Sequence, residues 1–325
     1  MARHAIPAER AGTSGVGVGP VGTGEAAAPA GGRAAFGVDA GRSHLLRRRR
    51  RVDRFFHGLC LAATLTGLAV LVVLLADVLA DGWRHLDWHF LTSFASRLPE
   101  RAGIYAALMG SLWVIGVAAP LLVIVGVGTA VYLEEYGGDG PLARLIKINI
   151  DNLAGVPSII YGILGLALFV RGLGLGPVVL AGALTMALLV LPVVIVATQE
   201  ALRAVPASLR HASYALGATR WQTTWRVVLP AALPGILTGI ILALSRAIGE
   251  TAPLIVVGAV TYVRFVPSSL FDPYTVLPIQ IYSWITMPRE EFKELAAAGI
   301  VVLLGVLLCM NGAAIYLRNR YQQRW

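Results

Sequence analysis

Six stretches of this chain, at about 59–80, 104–132, 152–170, 177–198, 233–258 and 295–317, are continuously apolar. Each is close to the ~20 residues that an α-helix needs to cross ~30 Å of hydrocarbon. No water is available there to satisfy backbone N–H and C=O groups, so each run is expected to fold as a helix that satisfies its own. The expected fold class is all-α, a polytopic transmembrane helical bundle with about six spanning helices. Composition agrees, at 57% hydrophobic and 14% charged residues, where soluble domains have roughly 45–50% and about 25%. Outside the runs no separate soluble domain has room to fold.

The formal net charge of +9 raises nucleic acid as a partner. The arginines, however, sit in a short head and between the apolar runs rather than on one basic face, so the lipid bilayer is the expected partner and nucleic acid is not. Arg47 to Arg51 stand directly before the first run, which is longer than the 7–15 residues of a signal-peptide core and reads as an uncleaved helix. The other basic clusters predicted inside hold Arg144 and Lys147, Arg203 to Arg226, and Arg318 to Arg324. This bias places both termini in the cytoplasm and the chain in the cell membrane as a multi-pass protein. Residues 1–43, rich in Gly, Ala and Pro, are expected to be a disordered tail ahead of a membrane domain over 44–325. Cys60 and Cys309 lie inside apolar runs and read as packing residues.

Three features depart from bland spanning helices. Gly155-Val156-Pro157-Ser158, followed by Tyr161-Gly162, predicts a kink; Pro157, Ser158 and Tyr161 line either a cavity wall or a helix end near water. Gly235, Gly239 and Ala243 form a small-residue stripe that signals close helix packing. In the middle of the fifth run stand Ser245, Arg246, Glu250 and Thr251. A central arginine costs about 2.5–3.5 kcal/mol, and a same-helix ion pair returns only about 0.2–0.5 kcal/mol in water. These four residues are therefore expected on a substrate path, with a structural bridge to another helix as the alternative. A planar guanidinium suits an oxyanion held through two hydrogen bonds.

The segment 200–232 is neither lipid-like nor a flexible linker. Ser208 is a plausible N-cap for a short helix through Leu216, ended by Gly217 in the left-handed conformation. Thr219 can cap a second short helix from Arg220 toward Val228, stopped by Pro230. Leu209, Leu216, Trp221, Trp225 and Val228 either pack under the bundle or enter a partner's groove.

His211-Ala212-Ser213, three residues, Gly217, nine residues and Val227-Val228-Leu229-Pro230 keep the spacing of the EAA loop of ABC importer permeases. With Leu216 to Thr223, Leu244 to Leu254, Pro157 to Gly162 and Leu277 to Tyr282, the chain resembles PstA-type permeases over about residues 50–320. The resemblance implies a MetI-like permease fold and a transport subunit of an ATP-driven importer of inorganic phosphate. It implies as partners a homologous second permease, two ATP-binding cassette subunits and an external phosphate-binding protein. Coupling to the ATPase would fall to Ser208, His211, Ala212, Ser213, Gly217, Trp221, Leu229 and Pro230. Neither Lys147 nor Lys293 follows a glycine, so no phosphate-cradling G-x-x-x-x-G-K-[ST] loop exists here. ATP would be used by the partner, and no cofactor, metal or catalytic site is expected in this chain. His211 stands where the family loop begins with glutamate; as third residue of a Ser208-capped helix it would lose a capping box and oppose the helix dipole. A permease for another oxyanion, a self-sufficient channel or carrier, and a non-transporting membrane scaffold in phosphate signalling are the alternatives.

Overall fold

The computed structural model describes residues 40–138, 140–260 and 262–321, leaving aside the side chains of 40–51, 317 and 321. The expected tail lies outside the described residues up to 39, and 40–43 belong to the first helix. In chain order the helices are α1 (Ala40–Trp83), α2 (Trp88–Thr92), α3 (Tyr105–Tyr136), α4 (Pro141–Ala154), α5 (Ser158–Gly172) and α6 (Val179–Arg203). They continue with α7 (Ala207–Ala215), α8 (Arg220–Gly249), α9 (Ala252–Val257), α10 (Leu277–Ile285) and α11 (Glu290–Tyr321). Among the described residues all regular structure is helical.

Helices α1, α3, α6, α8 and α11 are each long and apolar enough to cross a bilayer, and α4 with α5, bent by 110°, would make a sixth crossing as one broken span. Two apolar runs are therefore not single straight helices. The third turns sharply at Gly155-Val156-Pro157, because Pro157 disfavours helical backbone in the residue before it; α5 alone spans only about 22 Å at 1.5 Å per residue. The fifth stops at Gly249, with Glu250 extended at ψ 126°, and restarts as α9.

Contacts divide the chain between Leu65 and Thr66. In the first unit the described side chains, from Val52 to Leu65, are all exposed, as expected of an apolar helix that meets lipid. Cys60 and Cys309 are likewise exposed rather than packed.

The second unit is built around α6, apolar on all sides and the most buried of the spanning helices. Met186, Val190 and Val194 of α6 meet Val114, Ala118 and Leu122 of α3, Tyr161 of α5, Ala243 and Ala247 of α8 and Ile279 of α10. Close approach depends on small residues: a Cβ at Gly235 or Gly239 of α8 would fall 2.7 or 2.5 Å from the Ala201 or Ala197 methyl of α6. The stripe thus brings α8 onto α6, because absent side chains let backbones approach. Val178 offers α6 no cap; Val179 and Leu180 N–H donate instead to the Asp272 and Leu270 carbonyls at 3.1 and 2.9 Å. Asp272 is fixed by Ser268 N–H, Ser268 hydroxyl and Ser269 N–H at 2.7–2.9 Å. Those donors, the Ser268 N–H foremost, hold its carboxyl below the usual carboxylate range.

Candidate functional site

Arg246 lies in the last turn of α8, where a cation complements the carbonyl end of the helix. Its Nε is 3.2 Å from Glu250 Oε1, one turn on, at the point where the helix has ended. The guanidinium side chain is 53% exposed and the carboxylate 19%. Leu242, Arg246 and Gly249 share the exposed face of the helix end. The described residues give the two Nη atoms no partner, so the outward edge of the guanidinium is unspent.

Position decides how this pair is read. Arg246 sits about 25 Å along α8 from Leu229, and between Leu229 and Gly249 the other exposed residues, Pro230, Gly235, Leu242 and Gly249, are apolar. A charge facing lipid at that depth is disfavoured by several kcal/mol, whereas one facing water or protein is not. The exposed face at Arg246 is thus a face for polar contact.

The other residues expected on the path divide. Thr251 is half-buried in the break between α8 and α9 and caps nothing with its side chain. Ser245 turns to another side of α8, contacting the Ile241 carbonyl at 2.7 Å and the Asn311 side-chain amide of α11 at 2.5 Å. Its place is a bridge between helices, not beside the arginine.

Tyr161 also departs from expectation. It is 2% exposed, and its hydroxyl donates to the Leu153 carbonyl of α4 at 2.7 Å, closing the 110° bend from inside. Pro157, exposed, and Ser158, half-buried, open α5. One turn on, a Cβ at Gly162 would meet the Pro253 backbone at 2.7 Å, so α5 braces α9 directly after the break that carries Glu250.

On the opposite end of α8 lies the segment matching the EAA spacing. Helix α7 begins at Ala207 after Pro206, and Ser208 does not cap it; the fixed φ of proline sets the boundary instead. His211 is then the fifth helical residue, too far in for a capping box, and it and Ala212 are exposed. Ser213 and Thr223 hydroxyls meet at 2.9 Å, Gly217 has φ +82°, and Thr219 caps α8 through a capping box with Gln222. Pro230 does not stop that helix. The turn at Thr224–Val228 is widened to π geometry, which makes room for the proline ring that would otherwise strike the carbonyl one turn back.

The apolar residues of the segment divide as well. Leu209 and Val228 pack with Leu202, Val205, Ala232 and Ile236, and Leu229 joins them. Leu216 is 89% exposed, while Trp221 and Trp225, stacked with centroids 5.5 Å apart, are 61% and 56% exposed. Behind the tryptophans, an apolar groove of about 610 Å³ runs between α3 and α8.

Sequence reasoning missed the groups that hold α7 in place. Glu134 and Glu135, at the end of α3, pair with Arg203 at 2.9 Å and Arg210 at 2.8 Å. Their one sequence signal is two acids at the carbonyl end of a helix, where they oppose the dipole.

Residues 123–323 match the family described as binding-protein-dependent transport system inner membrane component. The chain belongs to this family. It is 39% identical over 258 residues to phosphate transport system permease protein PstA 1 of Mycobacterium tuberculosis, covering 77% of this chain and 83% of that protein. To PstA of Mycobacterium leprae it is 43% identical, with 77% and 84% covered, and to PstA of Haemophilus influenzae 32%, with 85% and 96% covered. Among solved structures, a bacterial alginate ABC transporter in complex with its periplasmic protein aligns at TM-score 0.62 and 15% identity, over 84% of this chain and 96% of that one. The inward-facing MetNI methionine ABC transporter aligns at 0.57 and 19%, over 67% and 95%. The fold of this multi-pass membrane protein is therefore that of the MetI-like permeases.

Proposed function

We propose that this chain is a permease subunit of an ATP-driven importer of inorganic phosphate. The observation that carries the reading is identity of 39–43% to phosphate permeases over more than four-fifths of their length. Arg246 supplies the chemistry: Glu250 holds it at Nε, leaving the two Nη edges to grip two oxygens of an anion. Glu250 fixes the guanidinium, and its other oxygen can accept a hydrogen bond from a protonated phosphate oxygen, which sulfate lacks at neutral pH.

In this reading a homologous second permease forms the other half of the path, and both termini are cytoplasmic. Two ATP-binding cassette subunits dock on Leu216, Trp221 and the exposed face of α7 around His211, and an external phosphate-binding protein delivers the substrate. ATP is spent by the cassettes, and this chain binds no cofactor. Thr251, Pro157 and Ser158 border the route near the break after α8.

The test is reconstitution with the second permease, cassette and binding protein, followed by ATP-dependent uptake of labelled phosphate with sulfate as competitor. Uptake that needs ATP, resists sulfate and collapses in Arg246→Gln is the expected result. Preference for another oxyanion would overturn the substrate, uptake without ATP would indicate a channel or carrier, and hydrolysis without any uptake would favour a scaffold.

A further inference from the structure

We propose that Arg210 and Glu135 form a positioning pair that carries displacement of α7 into α3, a role resting on the importer reading above. The Arg210 guanidinium joins three elements at once. Its Nη2 donates to Glu135 Oε1 at the end of α3 at 2.8 Å and to the Leu202 carbonyl of α6 at 2.9 Å, and its Nη1 to the Val205 carbonyl at 2.8 Å. The pair is shielded, with side chains 20% and 7% exposed.

Neighbouring contacts repeat the pattern. Arg203, before α7, reaches Glu134 at 2.9 Å, and Arg220, after it, lies 5.3 Å over the Tyr136 ring. Three consecutive residues at the end of α3 thus each hold an arginine that precedes, belongs to or follows α7. Two carboxylates at a helix C-terminus oppose its dipole, so helix stability does not explain them. They stand in a widened π turn, Tyr132–Tyr136, a geometry frequent at functional sites. Moving α7 alone would leave a buried charge uncompensated, so α3 is obliged to follow it. Upstream, Ile124, Val127 and Tyr132 of α3 line the groove against α8, so a shift of α3 alters that groove.

The experiment places Ile124→Cys in a Cys60→Ser, Cys309→Ser background and measures maleimide labelling of the assembled complex with and without ATP turnover. The parent is expected to show about a fivefold ATP-dependent change in labelling rate, falling below about twofold in Glu135→Gln and Arg210→Lys while ATP hydrolysis stays within about twofold. Arg203→Gln, at the more exposed pair, is expected to keep the change. An undiminished change in Glu135→Gln, no change in the parent, or hydrolysis lost in step with the change would each overturn the proposal. If Glu135→Gln fails to assemble, Arg210→Lys alone decides, because it keeps the charge and cannot reach all three acceptors. Labelling does not require the right substrate, so failed phosphate uptake by the unaltered chain would sink the importer reading and leave this result standing.

Discussion

Arg246–Glu250 and Arg210–Glu135 are the same two side chains in opposite settings. The first pair is made within one helix end, touches at a single nitrogen and leaves its arginine 53% exposed. The second is made between helices, adds two backbone carbonyls and leaves its carboxylate 7% exposed. A half-open pair contributes little to stability and keeps its cation available, whereas a shielded pair fixes geometry and is costly to break. Burial and the number of acceptors, not residue type, separate a group left open to further contact from one that holds the fold.

The sharpest test of this contrast is Arg246→Gln. Loss of two charge-assisted hydrogen bonds to an anion, each worth about 1.5–3 kcal/mol, predicts uptake lowered about 100-fold or more, with unfolding in detergent shifted by under about 1 kcal/mol. The reverse is expected at the other pair: Glu135→Ala should cost about 3 kcal/mol by leaving the shielded Arg210 without its anion, and Glu250→Ala under about 1 kcal/mol. Equal losses in thermal or denaturant unfolding would break the comparison. Removing the capping box with Thr219→Ala should cost about 1 kcal/mol, seen as earlier proteolysis between α7 and α8. The smallest effect belongs to Asp272, held by N–H and O–H donors rather than an arginine. Its folded pKa is depressed, so its contribution is present above the unfolded value of about 3.9 and is lost as pH falls through the folded one. Asp272→Asn should flatten that acid limb in a pH series of unfolding midpoints.

The apolar runs were legible because a spanning helix must satisfy its own backbone, and composition alone reports that. Arg246 was legible as a charge where charge is expensive, and Gly217 and Thr219 because turn and cap chemistry is local. Hydropathy did not reveal the break at Glu250, since the run is apolar on both sides of it and the interruption shows only in the hydrogen bonds. Ser208 was misread as a cap because Pro206, two residues earlier, sets the helix start. Pro230 was misread as a stop because the widened turn before it needs tertiary support that no local rule reports. Tyr161 and Ser245 looked available from their neighbours in sequence; their partners, Leu153 across a bend and Asn311 in the last helix, are matters of packing. The arginines facing Glu134 and Glu135 lie 69 and 75 residues away, beyond the reach of any spacing argument.

Because α8 runs unbroken from Arg220 to Gly249, the foot that bears the stacked tryptophans and the arginine near its far end are parts of one lever. About 39 Å of helix separates Arg220 from Arg246, so a tilt of about 5° at the foot swings the guanidinium through about 3 Å. That travel is comparable to the length of one hydrogen bond. Glu250 directly follows the helix end and travels with it, so a small rotation at the foot carries the Arg246–Glu250 pair as one group past whatever faces it.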